Sequence, residues 1–158
     1  MHFEAQNHVF SLMLPCFSYG HSISISNIGK DRMAIKKQHL EFEKLDLNEG
    51  WEVPQGYPLG IEHKILSGML DEEVGRGHRT RLLRFHAGTF TETPFCHEYW
   101  EEVYLLSGDL IVGNNSQGKG GKSFMPPTYA CRPPRIPHGP FKSEQGCLLL
   151  EVHYFEPA

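Results

Sequence analysis

Glycine and proline, 16 and 11 of 158 residues, cut this chain into short apolar runs, and no stretch sustains a helical period. Short alternating runs bounded by turn residues read as strands. Residues 61–66 form one such run, closed by Ser67-Gly68, and residues 80–86 another, stopped by Ala87-Gly88. Leu40 and Phe42 alternate with charged neighbours, residues 51–58 make a loop, and residues 71–77 make a charged turn. Gly108-Asp109 reads as a hairpin-type turn into the strand 110–112. Residues 129–131 are a short strand and 147–155 a long apolar one. The expectation is an all-β domain, built as a closed or sandwiched barrel.

Charge and cysteine usage narrow the partners. Fifteen Lys and Arg against nineteen Asp and Glu leave a formal charge of −4, and the longest basic run is Lys36-Lys37. Neither nucleic acid nor an anionic membrane is expected. The loop 116–122, rich in Gly and Lys, is too short and irregular to cradle a phosphate. Cys16, Cys96, Cys131 and Cys147 are scattered without a Cys-x-x-Cys pair, which argues against a structural zinc site and fits a reduced, cytoplasmic setting. Residues 1–32 read differently from the rest. Their apolar run 9–17 lacks a basic lead, and Pro15 directly precedes Cys16. Either Met33 is the natural start or 1–32 are a loosely held N-terminal extension, with 33–158 the folded domain; an arm packing across a dimer is the alternative.

The chemistry concentrates in residues 95–108, Phe-Cys-His-Glu-Tyr-Trp-Glu-Glu-Val-Tyr-Leu-Leu-Ser-Gly. Side chains two apart on a strand share a face, so Phe95, His97, Tyr99 and Glu101 would point together and Glu102 away. An imidazole and a carboxylate on one face suit Fe, Mn, Ni or Zn; the plainer reading is a half-exposed strand with its polar face in water. A second stretch, residues 132–141, carries Pro133, Pro134, Pro137 and Pro140 around His138. The prolines stiffen the backbone and set His138 at a strand entrance.

Together the two stretches resemble the cupin family, whose first motif runs Gly, His-x-His, three or four residues, Glu, six residues, Gly, and whose second runs Pro-x-Gly-x-x-His. His97 matches the second motif histidine, Glu101 the glutamate and Gly108 the closing glycine. Pro133-x-Arg135-x-x-His138 matches the second motif, with Arg135 where the family has glycine, and Gly88 stands near the opening glycine. Phe95 stands where the first histidine belongs. The resemblance covers about residues 60–155 and implies a single cupin-type β-barrel or double-stranded jelly roll.

It further implies a divalent transition metal held by His97, Glu101 and His138, two histidines and a carboxylate with open positions. Tyr99 would complete the metal shell or act as acid or base, and Arg135 or Arg132 would bind a substrate carboxylate or else stand as solvated loop arginines. His86 and His153 are alternative sources of a fourth nitrogen, His63 a weaker one. Phe95, Tyr99, Tyr104 and Phe141 would line an apolar pocket, with core packing the plainer expectation for Tyr104 and Phe141. The implied function is a metal-dependent enzyme acting on a small organic molecule, for example a dioxygenase. The alternatives are a non-catalytic ligand-binding or sensor module, and a metal-free isomerase or epimerase using His138 and Tyr99. A homodimer is expected, because small barrels often pair through edges such as residues 61–66.

Overall fold

A computed structural model describes residues 39–156; the extension expected at 1–32 and the start at Met33 lie outside them. Among the described residues eight strands account for the regular structure: β1 (Ile61–Asp71), β2 (Arg76–Phe85), β3 (Trp100–Gly108), β4 (Leu110–Val112), β5 (Lys122–Phe124), β6 (Thr128–Arg132), β7 (Phe141–Lys142) and β8 (Cys147–Tyr154). Among the described residues no helix is long and apolar enough to cross a membrane. A five-stranded sheet runs β1-β2-β8-β3-β6 and a three-stranded sheet β5-β4-β7, with antiparallel pairing throughout. This is the all-β jelly roll that the sequence implied.

Several boundaries differ from the sequence reading, each for a local reason. β1 does not stop at Ser67-Gly68 but passes through a bulge between Ile65 and Ser67 and continues to Asp71. A Cβ on Gly68 would lie 2.4 Å from the His78 carbonyl oxygen, so this glycine permits close strand approach rather than ending the strand. Gly108-Asp109 is not a hairpin turn: β3 pairs with β6 and β8, β4 with β5 and β7. It is the corner where the chain leaves one sheet for the other. Buried Asp109 braces that corner, accepting hydrogen bonds from the backbone N–H groups of Glu144 and Gln145 and from the Ser143 hydroxyl. No strand forms around Leu40 and Phe42, and Phe42 is fully exposed. Tyr104, expected in the core, is exposed and packs on Tyr129, because Val103 and Leu105 take the inward face. Phe141 is in the core as expected.

Strand register divides the interior into two ends. In β8, Cys147, Leu149, Glu151 and His153 are buried and alternate with half-buried neighbours. Phe85 and Leu83 of β2 lie opposite Cys147 and Leu149, whereas Arg81 and Arg79 lie opposite Glu151 and His153. On the other side of β8, Leu105 of β3 faces Leu149 and Glu101 faces His153. The apolar end joins Ile61, Leu110 and Phe141 as the core. The polar end, with Leu83, Phe85 and Leu149 of the apolar end, lines a cavity of about 600 Å³, within the size range of small-molecule sites.

Candidate metal centre

The two motifs are stitched together through their backbones. Phe95 N–H donates to the His138 carbonyl (2.9 Å), His138 N–H returns to the Phe95 carbonyl (3.0 Å), and Arg135 N–H donates to the His97 carbonyl (2.7 Å). Arg135 does this with φ at +66°, in the left-handed region, which explains why glycine suits that position in the resembling family. Residues 95–99 precede β3 rather than belonging to it, yet Phe95, His97, Tyr99 and Glu101 all line the cavity. Glu102 faces outward, accepting from the hydroxyls of Tyr129 and Tyr154 at 3.0 Å each. The register expected from strand parity is the observed one.

His97 and His138 are held in the same tautomer by carbonyls that can only accept. His97 donates from Nδ1 to the Tyr99 carbonyl and His138 from Nδ1 to the Ile136 carbonyl, both at 2.8 Å. Each ring therefore carries its lone pair on Nε2. His138 Nε2 lies 3.4 Å and His97 Nε2 3.7 Å from the same oxygen, Glu101 Oε2. His97 Nε2 is buried without a hydrogen-bond partner. Three electron-rich atoms thus converge, and the set lies within 4.8 Å. Metal bonds of about 2.0–2.2 Å at tetrahedral or octahedral angles put donor atoms roughly 3.0–3.5 Å apart, so the residues fit a divalent transition ion with little adjustment. Carbonyl-locked imidazoles are also the usual support of metal-ligating histidines.

Electrostatics keep the carboxylate charged. Burial alone would raise the Glu101 pKa, but the His153 N–H and the Arg132 guanidinium together hold it far below the carboxylate range. Arg132 stands directly across from Glu101 on β6 and contacts Oε2. A carboxylate oxygen has two lone pairs, so an arginine N–H and a metal can share it. Burial lowers the pKa of His138, keeping it neutral and able to ligate. Burial also raises that of Tyr99, whose ring stacks on His97 with centroids 4.0 Å apart and planes 3° apart. Tyr99 remains a phenol at neutral pH.

The other sequence candidates divide. Phe95 stacks on Tyr57 at 4.8 Å and joins the apolar wall, filling the place of the missing histidine. Arg135 is not brought to the cavity: its exposed guanidinium pairs with Glu98 at 2.7 Å. His86 is also outward, paired with Glu62 at 2.8 Å. His63 reaches the cavity wall, its Nδ1 3.2 Å from Arg81. His153 is wholly buried beside Glu101. Sequence reasoning missed Tyr57, Arg79, Arg81 and Glu151. Arg81 binds Glu151 at 2.6 Å in a fully buried pair, and that charge holds the Glu151 pKa down against burial. The signal was present as Arg-x-Arg-x-Leu-x-Phe in residues 79–85 and as alternate positions in 147–153.

No protein-family profile matches the chain, and no curated protein matches it. Solved structures do. An acetylacetone dioxygenase from Acinetobacter johnsonii superposes with a TM-score of 0.53 at 20% identity, over 80% of this chain and 81% of that one. An RmlC-like cupin from Shewanella frigidimarina gives 0.52 at 16%, over 78% and 96%. The polyketide cyclase RemF from Streptomyces resistomycificus gives 0.52 at 23%, over 73% and 81%. The class these features define is a small antiparallel barrel with a His/Glu cluster in its mouth. The chain has the fold of the cupin superfamily.

Proposed function

We propose that this protein is a metal-dependent cupin enzyme acting on a small organic molecule by dioxygenase-type chemistry. His97, Glu101 and His138 hold a divalent ion of Fe, Mn, Ni or Zn. The observation that supports this most is the shared tautomer of His97 and His138, both lone pairs turned to one oxygen of Glu101. When bound, the metal supplies Lewis acidity and, if redox-active, a site for dioxygen. The chain contributes the rest. Tyr57, Phe95 and Phe141 form an apolar wall, which excludes water and seats the carbon skeleton of a substrate. Tyr99 presents a protonated phenol as hydrogen-bond donor, and the guanidinium groups of Arg79, Arg81 and Arg132, each beside a carboxylate, add polar N–H groups that favour an oxygen-rich substrate.

A metal-free isomerase is the second reading. It has its own support: a neutral His138 and a phenolic Tyr99 share one cavity, an available base and acid. Elemental analysis of tag-free protein, reconstituted with each of the four metals, separates the two. About one equivalent in wild type and in Glu102→Ala, with most of it lost in His97→Ala and His138→Ala, is the expected result. Absence of metal in wild type would leave the isomerase or a binding module. The homodimer is carried forward in the same proposal: β1 and β6 are the end strands of the larger sheet, Glu52 covers β1 at His63, and Ile65 and Met69 further along β1 are exposed. A monomeric mass by light scattering at micromolar concentration would remove it.

A further inference from the structure

We infer that Arg79 and His153 form a positioning chain that holds His153 out of the metal's coordination and leaves Glu101 only one oxygen to offer. It rests on the metal reading above and assigns His153 the reverse of the role of His97 and His138. Arg79 places two donors on His153 Nδ1, Nε at 3.2 Å and Nη2 at 2.8 Å. Arginine has no acceptor, so Nδ1 must carry the lone pair and Nε2 the hydrogen. A neutral imidazole in this state has no second lone pair for a metal. Its Nε2–H lies 3.2 Å from Glu101 Oε1 and 3.4 Å from Glu151 Oε2, and these carboxylates are its nearest acceptors although neither is aligned as a full hydrogen bond.

The two oxygens of Glu101 are thereby divided. Oε1 faces the His153 N–H; Oε2 faces the lone pairs of His97 and His138. A second cluster of Glu101, Glu151 and His153 has metal-like spacing, but its chemistry differs. Arg81 already neutralises Glu151, and the nitrogen of His153 is a donor. His153 is wholly buried, so its ring has no solvent to turn toward, and the Arg79 Nη2 that meets it also lies 3.7 Å from the Glu72 carboxylate. The consequence is a two-nitrogen, one-oxygen protein ligand set in which the remaining positions stay open to substrate.

Three measurements test this. In metal-free protein, long-range 1H–15N spectra should show the Nδ1–H pattern for His97 and His138 and the Nε2–H pattern for His153. With Cu(II) bound, electron paramagnetic resonance should count two nitrogens in wild type and two in His153→Gln, whose amide N–H replaces the Nε2 donor. Zn(II) affinity should stay within about threefold in His153→Gln and fall about 10–100-fold in His153→Leu. Three nitrogens in wild type dropping to two in His153→Gln would overturn the inference and leave the metal reading standing. So would an Nδ1–H pattern for His153, or unchanged Zn(II) affinity in His153→Leu. If wild type binds neither ion, the metal reading fails and takes this inference with it. Should His153→Leu not fold, the nitrogen count and the tautomer pattern decide without it.

Discussion

Replacing Glu101 with glutamine tests how much of the fold depends on the site itself. Glu101 is about 5% exposed, and its carboxylate contacts Arg132 while facing His97, His138 and His153. These contacts make Glu101 matter to folding as well as to metal binding. Glu101→Gln keeps the volume but leaves the Arg132 guanidinium, whose side chain is only 14% exposed, without its anion. Breaking a buried ion pair from one side costs about 3–5 kcal/mol. The open cavity and the acceptor oxygen of the amide place the value near the lower limit, about 3 kcal/mol. For a chain of this length that lowers Tm by about 6–12 °C. Glu102→Gln, which faces out toward two tyrosine hydroxyls, should cost less than about 1 kcal/mol. Thermal unfolding at pH 7 with a chelator present isolates this term from metal binding. In a second series, Zn(II) at about 100 times its Kd should stabilise wild type by about 2.7 kcal/mol and Glu101→Gln by little. A Glu101→Gln protein melting within 3 °C of wild type in chelator would refute the buried pairing with Arg132.

Three further outcomes follow from the same geometry. Phe95→His should tighten Zn(II) binding about tenfold, about 1.4 kcal/mol, because the new imidazole enters beside His138 at the vacant motif position; isothermal titration reads it, and weaker binding would show that the ring cannot turn toward the site. Gly108→Ala should cost about 3 kcal/mol in chemical unfolding, since its φ is +79° and a Cβ would meet the Gly146 carbonyl oxygen at 1.9 Å; a neutral result would mean that the corner between the sheets can shift. Metal-free stability should fall on acidification in two stages. Burial depresses the pKa of His138 and His63, so the unfolded chain takes up protons first and stability is lost below about pH 6.5. Glu101 and Glu151 are also depressed, despite burial, by His153 and Arg132 in one case and by Arg81 in the other. Their contribution is complete above about pH 4.3 and is lost as pH falls below it. Unfolding curves flat between pH 7 and 5 would contradict the first stage.

Local physics made much of this protein readable from its residues. The density of Gly and Pro, with short alternating runs between them, excludes helices and demands paired strands. Parity along residues 97–103 is a property of any extended chain, which is why Glu101 rather than Glu102 could be assigned to the interior. The resemblance of the two motifs to those of cupins implied His97, Glu101 and His138 as one set, and backbone bonds between Phe95 and His138 bring that set together.

Hydrophobicity, by contrast, misdirects at β8. Its outward residues Leu148, Leu150 and Val152 are at least as apolar as its inward series Cys147, Leu149, Glu151 and His153. An alternating strand has two candidate faces, and composition selects the apolar one. Only cross-strand register shows that the inner face changes from core to cavity halfway along, where Arg81 and Arg79 stand opposite Glu151 and His153. The same holds for Gly108-Asp109: a glycine at a turn reveals a change of direction, but whether the next strand pairs back or enters another sheet depends on distant partners. The tautomers of the three site histidines belong to this second kind of knowledge. Each is decided by one neighbour, a carbonyl for His97 and for His138 and a guanidinium 74 residues away for His153, and folding alone brings that guanidinium and the ring together.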